Sequence, residues 1–164
     1  MNFRIEQRIP APLTAVEAAL LDREFIGATA KLPKLGDPEV VEQTREGDRV
    51  HQRVRYRFTA ELSSAVRRVI DPAKLTWIDD ARFDLTSHAA RHRIVPDYYA
   101  DRLQASYDVT LEPLGDSTRR VATGQLKVRV PLVGGRVERA IVSGLEEHAA
   151  AEADLLGRWV AERR

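Results

Sequence analysis

The chain has 164 residues, no cysteine, and 26 basic against 25 acidic side chains, for a formal net charge of +1 at pH 7. Disulfides, thiolate metal sites and cysteine nucleophiles are excluded, and so small a charge gives the whole protein little attraction for nucleic acid or an anionic membrane. With 43% hydrophobic and 31% charged residues, one soluble domain with a substantial core is expected.

The N-terminus alternates Phe3, Ile5, Gln7 and Ile9 with Arg4, Glu6 and Arg8. This is a strand with one covered and one wet face, and it has no apolar run of the kind a signal peptide carries. No later stretch is apolar enough to span a bilayer, so no membrane insertion and a cytoplasmic location are expected. Pro10 ends the strand. Thr14 and Glu17 have capping-box spacing, which predicts a helix over 15–22 with Val16, Ala19 and Leu20 inward and a further short turn reaching Lys31. Residues 33–38 (PKLGDP) break the chain, and strands over 39–45 and 50–58 flank Glu46-Gly47-Asp48, a hairpin connection. In the second strand Val50, Val54, Tyr56 and Phe58 share one face and His51, Arg53, Arg55 and Arg57 the other. The arginines form a basic ridge without interleaved aromatics, which is the pattern of a solvated strand face rather than a nucleic-acid surface.

Ser63 or Ser64 caps a short helix that places Ala65, Val66, Val69 and Ile70 inward and stops at Asp71-Pro72. Strands follow over 75–85 and 88–95, then Pro96-Asp97-Tyr98-Tyr99 turns the chain. Leu103, Ala105, Tyr107, Val109 and Leu111 alternate with polar partners, and Gly115-Asp116-Ser117 leads into a strand over 118–130 with Ala122, Gly124, Leu126, Val128 and Val130 on one face. Residues 134–163 carry no proline and change period, with Val137, Ile141, Leu145, Leu155, Leu156 and Trp159 within about one third of the helical circumference. Such a helix spans about 45 Å against about 33 Å for a ten-residue strand, so part of it is expected to overhang the sheet.

One strand, short helices, six hairpin-linked strands and a long helix make an α+β fold, with helices on one face of an antiparallel sheet. A sheet of about seven strands curled around one long C-terminal helix resembles the helix-grip fold of the START-like, or Bet v 1-like (SRPBCC), superfamily. The run Val128-Arg129-Val130-Pro131-Leu132-Val133-Gly134-Gly135-Arg136-Val137-Glu138, with Trp77 and Phe83-Asp84, is similar to a bacterial family of unassigned function, DUF2505. The resemblance implies a cavity between sheet and helix that holds a small apolar or lipid-like ligand, in carriers as well as in cyclases, aromatases and hydrolases.

His148 and Glu152, four residues apart, are adjacent polar exceptions in the apolar stripe. They either satisfy each other or a strand residue, orient the polar end of a ligand, or perform acid–base chemistry with Glu152 holding the His148 tautomer. Tyr56, Phe58, Trp77, Phe83 and Tyr107 are placed to line the sheet-to-helix space, as are Leu145 and Trp159, as cavity wall or as filled core. Asp79 shares the parity of Trp77 and Phe83 and points inward unless the register shifts at Asp79-Asp80. Gly144 leaves room beside the helix for a neighbour such as Trp77 or for a ligand. His88 and His92 on a strand stand about 13 Å apart, too far to share a metal, and no cofactor, metal or catalytic residue is assigned. The expected function is non-catalytic binding of a small hydrophobic ligand. The alternatives are a cyclase, aromatase or hydrolase using the same pocket, and a packed interaction module. Oligomeric state is not legible.

Overall fold

The computed structural model describes residues 1–164. Seven strands, β1 (Asn2–Ile9), β2 (Leu35–Glu46), β3 (Arg49–Phe58), β4 (Thr76–Asp84), β5 (Ala89–Pro96), β6 (Leu103–Leu114) and β7 (Ser117–Val128), form one antiparallel sheet in the order β1-β7-β6-β5-β4-β3-β2. Strands β2 to β7 are a meander in which each strand pairs with the next. The first strand instead crosses to the far edge and pairs with the last, Asn2 opposite Gln125 and Ile9 opposite Thr118. Helices α1 (Leu13–Leu20) and α2 (Arg23–Ala28), with a 3₁₀ turn over Thr29–Lys31, carry the chain from β1 to β2, and α3 (Ser64–Arg67) interrupts the meander. Helix α4 (Gly134–Glu162) runs across the concave face. This is the helix-grip arrangement. No helix is long and apolar enough to cross a membrane.

The alternation of each strand decides which face is covered. Ile5 and Ile9 of β1 and Val50 and Val54 of β3 are buried, while Arg4 and Arg8 are exposed. On the outer face Arg53, Arg55 and Arg57 lie within 3.3 Å, 3.2 Å and 3.0 Å of Asp80, Asp97 and Asp37. The basic ridge is thus interleaved with acids.

Several local expectations are corrected. The Thr14–Glu17 capping box does not form: α1 starts at Leu13 behind an extended Pro12 without a side-chain cap, and Glu17 turns away to His88. Strand β2 begins at Leu35 and runs through Pro38. It is an edge strand whose register shifts between Gly36 and Glu39, and edges and bulges are where a proline costs no ladder hydrogen bond. Ser63 does cap α3, its Oγ accepting from Val66 N, but Val69 is left 43% exposed. Gly47 takes φ +61° in the two-residue hairpin turn between β2 and β3, a conformation cheap only for glycine.

Two separate apolar cores hold α4. Ala153, Leu156 and Val160 join Ile9, Val16 and Phe25 in one; Val137 and Val142 join Phe58, Val66 and Leu126 in the other. Buried positions therefore run nearly the whole length of the helix, and the expected overhang is absent because α1 and α2 pack against its C-terminal half. The buried surface is also wider than the stripe, since both flanks of α4 are packed. Gly144 meets Phe58 rather than Trp77: a Cβ built there would stand 2.9 Å from the Phe58 ring. Gly157 serves the same purpose against Pro10, with the corresponding gap 2.5 Å.

Candidate functional site: a sheet-to-helix cavity with a polar band

Between the two cores, the middle of α4 stands off the central strands of the sheet and is tied to it through Arg120 of β7. The space is a cavity of about 240 Å³ lined by 36 residues, of which 26 are hydrophobic. One buried water needs only about 10–15 Å³, so this is a chamber rather than a packing defect. Tyr56, Phe58, Trp77, Phe83 and Tyr107 all line it, together with Leu145, His148 and Glu152. Trp159 does not. Its indole lies farther along α4, edge-on to Phe25 with ring centroids 5.4 Å apart, and carries the Arg163 guanidinium on its face.

His148 and Glu152 are neighbours, with Nε2 3.8 Å from Oε2, and the rest of their environment is supplied by other elements. The Nδ1–H of His148 donates to the Pro33 carbonyl at 3.1 Å, which fixes that nitrogen as protonated because a carbonyl can only accept. Glu152 is claimed mainly by Arg120 of β7, whose Nη1 reaches Oε1 at 2.5 Å. The same guanidinium donates through Nε to Gln7 and through Nη2 to the Ala149 carbonyl. Burial works to raise the Glu152 carboxyl pKa, but the Arg120 charge, with lesser help from His148, outweighs it and holds the group below the usual carboxylate range. The pair expected from the helix alone is a triad tied to the sheet.

A second polar group lies on the concave face of β4, β5 and β6. Asp79 points inward, accepting from the Tyr107 hydroxyl at 2.5 Å and from His92 Nδ1 at 2.8 Å. The His92 ring stacks on Tyr107, with centroids 4.3 Å apart and planes 10° apart, and Phe83 meets it edge-on. His88 is not on the strand at all. It precedes β5 with φ 56°, and its Nδ1 lies 3.1 Å from the Glu17 carboxylate. Nowhere do three His, Asp or Glu side chains converge as a metal site requires.

Arg120, Gln7 and His92 were missed as site residues, and strand parity carries the signal for each. Arg120 has the parity of Ala122, Leu126 and Val128, Gln7 that of Ile5 and Ile9, and His92 that of Ala90 and Ile94.

Burial is the main cause that pushes the Tyr107 hydroxyl well above its ordinary value near 10, with Asp79 adding to it, and burial likewise raises Tyr56. Both phenols therefore stay protonated in the fold. A group whose folded pKa is raised favours the fold below the unfolded value and ceases to do so as pH rises beyond it. Above about pH 10 the unfolded chain gains by ionising these tyrosines and the native state does not. Alkaline titration followed at 295 nm should show a component, from two of the four tyrosines, that appears only together with loss of the native circular dichroism. That late step should vanish in the Tyr56→Phe/Tyr107→Phe double variant.

The family described as a protein of unknown function, DUF2505, matches residues 4–160 of the chain. The chain belongs to the DUF2505 family. No curated protein sequence matches this DUF2505 protein. Its fold is that of TTHA0849 from Thermus thermophilus, with TM-score 0.71 and 22% identity over 99% of both chains. The Zhui aromatase/cyclase from a Streptomyces species follows, with TM-score 0.69 and 16% identity over 99% of this chain and 94% of that one. Norcoclaurine synthase from Thalictrum flavum, solved with a transition-state analogue, gives TM-score 0.66 and 14% identity over 99% and 95%. These neighbours share the helix-grip fold of the DUF2505 chain.

Proposed function

We propose that this protein binds a small hydrophobic molecule in the cavity between its sheet and α4, without turning it over. The observation that carries this reading is the chamber itself: the two cores pack tightly on either side, yet the middle of α4 faces a space walled mainly by apolar and aromatic side chains. A fold that needed only stability would lose packing there for nothing in return, whereas pockets of this composition are the usual home of small ligands. The aromatic wall from Tyr56 to Tyr107 and Leu145 contacts the apolar body. His148 and Glu152, braced by Arg120, form a polar wall beside it. The fold's other members lend support: norcoclaurine synthase is described in complex with dopamine and hydroxybenzaldehyde.

Filling the chamber is the direct test. Ala105 lines it from β6, and Ala105→Phe would place a ring inside. Titration with the neutral fluorophore N-phenyl-1-naphthylamine should show saturable binding to the unaltered protein, weakened about tenfold or more by Ala105→Phe. That variant should melt no lower than the parent, since a filled cavity gains contacts. Saturable binding unaffected by the substitution, or none to the parent, would overturn the reading.

A further inference from the structure

Recognition inside an apolar chamber falls to polar atoms that the protein has not already paired, because a satisfied group gains little from a ligand and an unsatisfied one gains its full hydrogen bond. Most polar atoms around this cavity are spoken for. Arg120 donates to Gln7, Glu152 and the Ala149 carbonyl. Gln52 accepts from Gln43 and donates to the Leu20 carbonyl. Thr29 donates to the Ile26 carbonyl, and Glu17 is engaged by His88. His148 is held by Pro33 and turns its other nitrogen toward Glu152.

Gln7 Nε2 and the Nε2 atoms of His88 and His148 also line the cavity without a partner within hydrogen-bond distance; two further unpaired atoms lie among the aromatic side chains of the sheet. His92 Nδ1 is directed at Asp79, whose other oxygen takes the Tyr107 hydroxyl. A carboxylate is an acceptor, so Nδ1 is the protonated nitrogen, and in the neutral ring Nε2 carries a lone pair. Stacking on Tyr107 and the edge contact with Phe83 fix the ring plane. Its side chain is only 14% exposed and no protein donor reaches Nε2. The second is the Tyr56 hydroxyl, which lines the same cavity without a hydrogen-bonding partner in the protein and keeps its proton there.

These two atoms define a ligand chemistry. A lone pair in an apolar chamber calls for a neutral donor, and the Tyr56 O–H lining the same cavity calls for an acceptor. A ketone or carboxylate offers Nε2 nothing, and an indole N–H offers Tyr56 nothing. A hydroxyl group both donates and accepts. We propose that the cavity is selective for hydroxyl-bearing apolar molecules, alcohols or phenols, with the ligand O–H donating to His92 Nε2 and a ligand oxygen accepting from Tyr56. Asp79 and Tyr107 are the positioning residues that fix the imidazole. This inference rests on the binding reading above and names its ligand class.

The test uses two probes of nearly the same shape, 2-naphthol and 2-methylnaphthalene, titrated calorimetrically at about pH 8. The parent protein should prefer 2-naphthol, and in His92→Phe the ratio of the two dissociation constants should fall roughly three- to tenfold, the worth of one neutral hydrogen bond. A readout that needs no variant is the ¹⁵N resonance of His92 Nε2 in the parent, which should move with 2-naphthol and stay still with 2-methylnaphthalene. If both probes bind but the ratio is indifferent to His92 and Nε2 does not respond, the hydroxyl subsite is overturned while the binding cavity stands. If neither probe binds, the binding reading falls and takes this inference with it.

Discussion

Arg120→Met is expected to destabilise the protein by roughly 3–5 kcal/mol, because it strands the Glu152 carboxylate in a buried site instead of removing a pair. The two side chains are 9% and 16% exposed, and Arg120 also anchors Gln7 and the Ala149 carbonyl, so β1, β7 and α4 all lose a tie at once. In the double variant Arg120→Met/Glu152→Leu no charge is left unpaired, and most of the loss should be recovered. The pH dependence has a definite sign. In the parent the Glu152 carboxyl lies below its ordinary value near 4.5. Its contribution is therefore complete above that value and is lost as pH falls through the folded one. In Arg120→Met the main lowering influence is gone while burial remains, so the penalty should shrink as acid protonates Glu152. Urea unfolding of parent, single and double variants at neutral and mildly acidic pH measures all of this. A neutral-pH cost below about 1 kcal/mol for the single variant would show that solvent reaches the pair and screens it.

Leu156→Ala and Leu145→Ala make the same chemical change on the same helix and should differ sharply. Leu156 is completely buried among Ile9, Val16 and Phe25, and its truncation should cost about 2–5 kcal/mol. Leu145 borders the chamber, so part of its surface has no partner atoms to lose, and its truncation should cost about half as much or less. Equal costs in chemical denaturation would mean that the chamber closes on Leu145 in solution.

Much of the architecture was legible from period alone. Alternation from Phe3 to Ile9 and from Leu103 to Leu111, and its change to helical spacing after Gly134, reflect how each element buries one side, and that constraint acts locally. The site was legible only where a single element carried it. His148 and Glu152 stand out because four residues make one helical turn. Their partners, Pro33 and Arg120, come from distant segments whose approach depends on strand register and the curl of the sheet. Asp79 and His92 likewise sit on neighbouring strands with no sequence spacing to connect them. Parity shows that a polar residue faces inward, but not which other inward residue it will meet. The same gap explains Thr14 and Glu17, where a valid capping pattern lost to a long-range partner, His88. Trp159 had the right stripe but stood too far along the helix, beyond the chamber and beside Phe25.

The place of β1 in the sheet also governs how the chain can fold. Strands β2 to β7 pair with their neighbours in sequence, and apart from the segment 59–75 that carries α3 between β3 and β4 their ladders close over small loops at little entropic cost. The first strand must find a partner more than a hundred residues downstream, as Phe3 opposite Gly124 shows. It arrives together with α1 and α2, whose contacts with α4 complete one of the two cores. Contact order therefore predicts that the meander forms first and that β1 docks late. On that order the aromatic floor of the chamber would form first, and the part of its wall supplied by Phe3, Ile5 and Gln7 of β1 would be added last.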